Sequence, residues 1–189
     1  FRDDRTLRFA GADSFAEGQD ASVRVIHRGR WQADVLAYLQ ARDFGNKVVS
    51  ATSFRLTLDQ RQTPTTGYGA KVEVRPPVGP DHVLRLGGDV RVADGRLFED
   101  AYAASGLVTA RRSAGGRITT AGIYAEDDWT LGRLVLTGGV RLDRWTIAGG
   151  FFRELAASGV VNADRRFADR AGSEINGRAG IAWRAAPWA

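Results

Sequence analysis

Three consecutive acids, Glu126, Asp127 and Asp128, are the densest group of side chains in the chain able to move protons or hold a cation. A glycosidase requires two carboxylates converging on one bond, and a calcium site requires six to eight oxygens drawn from several segments. Neighbours in a strand point in opposite directions, so this run divides between two faces and supplies neither arrangement. There are no cysteines and only two histidines, His27 and His82. That composition removes disulfides, thiolate zinc sites and cysteine nucleophiles, and leaves too few imidazoles for most histidine-built metal centres. No nucleophile, base and orienting group stand together, so no catalytic residue, metal or cofactor is expected. Gly67-Tyr68-Gly69 and Gly87-Gly88 lack the following helix start that receives a phosphate, and read as small residues in crowded strands. The formal charge is +5, from 27 Lys and Arg against 22 Asp and Glu, and every basic residue except Lys47 and Lys71 is an arginine. These arginines are spread along the chain rather than gathered in one stripe, which argues against a nucleic-acid partner. The adjacent pairs Arg111-Arg112 and Arg165-Arg166 remain as candidate contacts for an anionic ligand, beside the plainer reading of solvated loop charge.

The elements that would position these groups read as strands. Over 31–42 the residues Trp31, Ala33, Val35, Ala37, Leu39 and Ala41 alternate with Gln32, Asp34, Leu36, Tyr38, Gln40 and Arg42, a period of two longer than the usual strand of about 5 to 6 residues. The same alternation runs through 134–143 and 174–184. Shorter runs at 21–27, 70–75, 82–92 and 117–129 complete about seven strands, the third of them beginning upstream near Phe54. No run of 18 apolar residues offers a transmembrane helix, a test that does not address membrane strands. At 189 residues, with 23 glycines and 5 prolines, the chain reads as one domain of strands and turns.

The connections alternate in length. Short turns are expected at 28–30, at 76–81 and at Gly132-Arg133, the last suiting a type II′ hairpin. Long ones are expected at 45–53, 93–116 and 146–172. Structureless loops beyond about 12 to 15 residues are uncommon in compact soluble domains, whereas transmembrane barrels combine short turns at one end with long loops at the other. A three-residue turn at 28–30 sets Arg24 opposite Asp34 and Val25 opposite Ala33, and a turn centred on Gly79 sets Glu73 opposite Arg85 and Val74 opposite Leu84. Trp31, Trp129 and Trp183 all lie beside short turns or just before 185–188, with the parity of the apolar face. Such tryptophans form an interfacial girdle in a membrane barrel, or the core of a β-sandwich in a soluble domain. Asp127 shares their parity and fits that face badly. The opposite face would carry Arg24, Asp34, Arg42, Lys71, Glu73, Arg75, Arg85, Asp89, Arg91, Glu126, Asp128, Arg141, Asp143, Glu174 and Arg178, a mixture of signs suited to a polar lumen. The fold expected is an all-β antiparallel transmembrane β-barrel segment.

The stretch Tyr124-Ala125-Glu126-Asp127-Asp128-Trp129, a short turn, then Leu134-Val135-Leu136-Thr137-Gly138-Gly139-Val140-Arg141-Leu142-Asp143 resembles the strand, turn and strand repeated in TonB-dependent outer-membrane receptors. Leu58-Asp59-Gln60, Pro64, Thr66-Gly67-Tyr68-Gly69 and Val74-Arg75-Pro76-Pro77 also resemble one branch of that family. The resemblance runs from about residue 20 onward. A plug domain, a TonB box and a C-terminal aromatic residue are not found in this sequence, and seven strands fall well short of the 22 of plugged transporters. The resemblance therefore implies that 1–189 is an internal part of a barrel, opening at Phe1 rather than at a natural start and lacking the plug and the C-terminal strands.

It further implies a receptor in the outer membrane of a Gram-negative bacterium that takes up a scarce nutrient, such as a ferric siderophore, with TonB-coupled energy. The implied partners are the plug of the same protein, the TonB complex, the nutrient, and outer-membrane lipid and lipopolysaccharide. The loop arginines Arg111, Arg112, Arg165 and Arg166 would then face either the nutrient or lipopolysaccharide. Two other readings are a porin-like barrel without TonB and a soluble all-β carbohydrate-binding module.

Overall fold

The computed structural model describes residues 1–6 and 8–185, so 186–188 of the expected C-terminal aromatic stretch lie outside the described residues. Among the described residues there is no helix. Ten strands form one antiparallel sheet: β1 (Arg2–Thr6), β2 (Asp13–Arg28), β3 (Gln32–Val49), β4 (Leu56–Gln62), β5 (Thr65–Arg75), β6 (His82–Tyr102), β7 (Val108–Leu131), β8 (Leu134–Ala156), β9 (Val161–Arg166) and β10 (Arg170–Trp183). The strands follow one another across the sheet in chain order. β4 and β5 share one lane between β3 and β6, interrupted at Thr63-Pro64, and β9 and β10 share the lane beside β8. The expected seven crossing strands are thus β2, β3, β4/β5, β6, β7, β8 and β9/β10, with β1 covering only the 13–17 end of β2. Phe54, where the third crossing was expected to begin, is instead a turn residue with φ of 54°, and β4 starts at Leu56.

The alternation read from the sequence becomes the two faces of this sheet. Registered side by side on one face are 33–41 of β3, 68–74 of β5, 84–92 of β6, 134–142 of β8 and 175–183 of β10, each contributing its apolar parity. Most of these runs are about nine residues long, close to the 9 to 11 that a tilted strand needs to cross hydrocarbon. All fifteen charged residues expected on the other face share its parity in the observed registers.

Exposure inverts the rule of a soluble protein. On the apolar face Ile123, Val140 and Ile181 are 64, 54 and 76% exposed. On the polar face the side chains of Glu73, Asp89 and Glu126 are 13, 12 and 14% exposed. Strands touch only their hydrogen-bonded neighbours, and the described residues bury just Ala12 and Ala110 as apolar core. A sheet of this kind has no second layer on which to bury its apolar face, which two-layer soluble folds require. This removes the sandwich reading, and with it a tryptophan core.

Two expectations change. The first turn is 29–31 rather than 28–30, so Trp31 lies in the turn and each pairing slips by two residues. Arg24 stands opposite Leu36 and Val25 opposite Val35. The second hairpin slips equally, with Glu73 opposite Gly87 and Val74 opposite Leu86. A two-residue slip preserves the pleat, so the faces survive it. The Gly132-Arg133 turn holds as expected, with φ of 61° at the glycine and no positive φ at the arginine, as type II′ demands.

The second change is in the long connections. Much of 45–53, 93–116 and 146–172 is strand: β6, β7 and β8 run 21, 24 and 23 residues, and the non-strand residues are 50–53 of the first stretch, 103–107 of the second, and 157–160 and 167–169 of the third. The ladder continues because backbone pairing is indifferent to side-chain polarity, and these ends carry charges on both faces. Bulges adjust it, among them one in β8. Between Gly115 and Arg117 of β7, β8 inserts an extra residue at Gly149, whose φ of 63° few side chains tolerate.

Candidate functional site

The polar face is a wall of ion pairs built over glycines. Tyr124 stands opposite Gly87 and Arg141. A Cβ at Gly87 would lie 2.4 Å from the Tyr124 ring, so only a glycine lets that ring cross β6. Its hydroxyl then donates to Glu73 on β5 at 2.7 Å. Gly122 works in the same way: a Cβ there would lie 2.1 Å from Arg141 Nη2. Across that gap Arg141 reaches Asp89 on β6 at 2.8 Å while also holding Asp143 at 2.6 Å, and its guanidinium lies 6.0 Å from the Tyr124 ring centre. Four lanes are tied together by these contacts.

Nearer the short turns, Arg85 binds Glu126 at 2.9 Å and Asp128 at 2.7 Å, Arg178 also reaches Glu126, and Thr137 donates to Asp128 at 2.7 Å. Glu73 further accepts from Arg75 at 2.7 Å and lies 3.5 Å from Lys71. Arg24 pairs with Asp34 diagonally despite the register slip, and Arg42 pairs with Asp20 at 3.0 Å. Glu126 and Asp128 do share a face, and each is paired with an arginine. Among the described residues no group of three metal-binding side chains occurs.

Beyond the apolar belt the polar face continues with Arg112, which binds Glu99 at 3.2 Å and Glu154 at 2.6 Å. The bulge at Gly149 places Glu154 there, since without the extra residue its parity would face the other way. Hydrogen bonds from Arg112 and then Asn162 hold the Glu154 carboxyl below the usual range, and the same pairing raises Arg112. On the opposite face Tyr102 is pushed up by burial, then by the charges of Asp59 and Asp100.

Strand alternation divides the candidate arginines. Arg112 and Arg165 take the parity of the polar face, and Arg111 and Arg166 that of the apolar face, where Arg166 lies over the Phe151 ring at 5.7 Å. Arg165 has no carboxylate within ion-pair distance among the described residues. Trp31, Trp129 and Trp183 all sit at the short-turn end, Trp129 opposite His82 and Leu136 and Trp183 opposite Leu134. His82 stacks on Trp129 with 5.5 Å between ring centres, and its Nδ1–H donates to Asp127 at 2.6 Å. That bond pairs one carboxylate oxygen of Asp127 on the apolar face. Sequence reasoning passed over Tyr124 as a wall residue, because only the register reveals the glycine it crosses.

A one-layer antiparallel meander with apolar residues exposed on one face and an ion-paired lattice on the other is the wall of a membrane β-barrel. The family described as "TonB dependent receptor-like, beta-barrel" matches residues 2–189, and the chain belongs to it. Its members are receptors and transporters. A crystal structure of the ferric yersiniabactin uptake receptor FyuA from Yersinia pestis is similar, with a TM-score of 0.69 at 12% identity, over 96% of this chain and 28% of that one. That likeness establishes the fold, and the chain spans less than a third of that receptor's length. No match was found among the curated proteins.

Proposed function

We propose that residues 1–189 form part of the barrel wall of an outer-membrane receptor of a Gram-negative bacterium, which admits a scarce nutrient past a plug domain of the same protein with energy delivered through TonB. One observation carries this: the apolar side chains of one face are exposed, whereas the carboxylates Glu73, Asp89 and Glu126 of the other are sheltered. Lipid covers the first face. A polar plug domain and water meet the second. The short-turn end is periplasmic, with Trp31, Trp129 and Trp183 as its interfacial girdle.

The nutrient class is a ferric siderophore. This reading is supported by family membership and by the similar fold of a ferric yersiniabactin uptake receptor. Arg165, unpaired on the lumen parity, is the residue of this segment best placed to meet an anionic ligand, with Arg112 more firmly held by its two glutamates.

The test uses cells producing the full-length protein that carries this segment. Heat-modifiable migration of an outer-membrane fraction is expected, together with radioiron uptake from a ferric siderophore that stops when TonB is deleted. Uptake that survives the deletion would mean a porin-like barrel. Recovery in the soluble fraction without heat-modifiable migration would end the barrel-wall reading itself.

A further inference from the structure

Around Gly69 the polar face holds three hydrogen-bond donors that the wall itself does not use. Tyr38 stands opposite Gly69, and Gly69 stands opposite Arg91. A Cβ at Gly69 would lie 2.7 Å from the Tyr38 hydroxyl, so that hydroxyl rests above the glycine, between its two strand partners. Lys71 follows two residues along β5 on the same face, about 7 Å away. Its ammonium lies 3.5 Å from Glu73, and the Arg91 guanidinium lies 3.8 Å from Asp89. Neither cation, nor the Tyr38 hydroxyl, has a hydrogen-bond acceptor among the described residues. Lys71 and Arg91 are 49 and 70% exposed, although β5 and β6 are each flanked by paired strands on both sides.

These groups rim a recess of about 270 Å³, shared with Asp89, Tyr124 and Arg141. The carboxylates beside it are already engaged: Asp89 holds Arg141 at 2.8 Å, and Glu73 accepts from Tyr124 and from Arg75 at 2.7 Å each. Lys71, Arg75, Arg91 and Arg141 outnumber Glu73, Asp89 and Asp143 by one, so a single negative charge completes the cluster. A carboxylate carries that one charge and offers about four lone-pair sites to the three donors. A phosphate dianion would set surplus charge against the neighbouring acids, and a neutral group would leave the two cations unpaired. The recess lies where the belt of the other face ends. Arg91 is opposite Thr120 and Thr120 opposite Trp145, one residue beyond Arg144. Ile118 and Ile147, opposite each other on the same face toward the long-strand end, give it an apolar lip.

From this juxtaposition we infer that Tyr38, Lys71 and Arg91 seat a free carboxylate of the iron chelate, so that the nutrient belongs to the carboxylate class of chelates rather than to the neutral ones. The inference rests on the receptor reading, which makes this face the lumen and opens the recess to what enters from outside. It places a second anchor on the wall, deeper in the lumen than Arg165.

The experiment dialyses radioiron-labelled ferric citrate, ferric rhizoferrin and the neutral trihydroxamate ferrichrome, each separately, against the full-length protein in detergent. The first two chelates carry carboxylates, and at least one of them is expected to bind more tightly than ferrichrome. K71Q and R91Q should each lower its affinity about tenfold and Y38F about threefold, with ferrichrome unaffected. R30Q, in the first short turn, should bind as the parent does. Failure of both carboxylate chelates to outbind ferrichrome would overturn the inference, as would equal losses for all three chelates in K71Q/R91Q. A plug carboxylate in the recess has its own signature, also contrary to the inference: K71Q/R91Q would open conducting channels in planar bilayers at lower urea, with chelate affinity at the parent's level. Neither Lys71 nor Arg91 donates a hydrogen bond within the described wall, so the single variants remove none, and each is checked for heat-modifiable migration. TonB-dependent uptake of ferrichrome alone would leave the receptor reading standing and this inference refuted. Loss of heat-modifiable migration in the parent would instead mark failure of the barrel reading.

Discussion

The two ends of β6, β7 and β8 obey different rules although they belong to the same strands. Toward the short turns, apolar and charged residues alternate, Asp127 beside His82 excepted, with Leu86, Ala125 and Val140 in one row on the apolar face and Glu126 and Gly139 adjacent on the polar face. Toward the other end charges stand on both faces. Asp94 and Arg117 pair on one, and Glu99, Arg112 and Glu154 on the other. The difference teaches what each end is solvated by. A strand with lipid on one side carries its charges mainly on the other, whereas a strand with water on both sides can carry them on both faces.

The sharpest way to break this comparison is to put a charge on the same face at both ends. Val140→Arg lies in the belt and is expected to cost about 2–4 kcal/mol, the range for arginine near a bilayer midplane. Ser113→Lys has the same parity beyond the belt, half-buried opposite Arg153, and should cost no more than about 1 kcal/mol, the scale of a like-charge cross-strand pair. Urea unfolding of the full-length protein from phospholipid vesicles measures both. Equal costs at the two positions would remove the distinction between the ends.

The same contrast explains what was legible before any coordinates. Val35, Leu86, Val140 and Ile181 could be assigned to a face from the sequence because lipid on one side and a polar interior on the other enforce a period of two. The far ends could not: Phe98, Glu99, Asp100, Arg111 and Arg112 follow no such period, and they read as loop although they are paired strand. Glu154 was hidden for a different reason. The bulge at Gly149 reverses the parity of everything after it in β8, and nothing in Ala148-Gly149-Gly150 distinguishes a bulge from a flexible turn. The first hairpin register slipped by two because Trp31 belongs to its turn. The arginine pairs were recognised as a feature but could not be divided between faces until Arg111 and Arg165 were known to lie in strands.

A smaller effect is expected inside the wall, where packing rather than solvation decides. Gly122→Leu forces its Cβ onto Arg141, displacing the guanidinium from Asp89 and Asp143, and overpacking of this kind costs about 1–3 kcal/mol. Gly95, farther along the sheet, meets only Thr65 at 3.5 Å, so Gly95→Leu should fall within about 0.5 kcal/mol of the parent. The same unfolding assay ranks them. If Gly122→Leu were neutral, the reach of Arg141 across β7 would have no structural weight, and the lattice would be a set of independent pairs.

The smallest effect concerns pH and belongs to the far end alone. Glu154 keeps its charge to lower pH in the folded chain than in the unfolded one, because Arg112 and Asn162 hydrogen-bond the carboxylate. The unfolded state therefore binds the more protons as the solution is acidified. The stabilisation is complete above the ordinary glutamate value of about 4.3 and is lost as pH falls through the lower folded value. Both partners are partly exposed, so water screens the pair and its loss should not move the global unfolding midpoint. What it should change is local opening. Hydrogen exchange at 108–112 and 153–156 is expected to quicken below about pH 4 while 121–126 stays protected, and Glu154→Gln should erase the pH step without altering the belt. If both regions loosened together in acid, the sheet would open as one unit, and the division between its ends would be one of composition only.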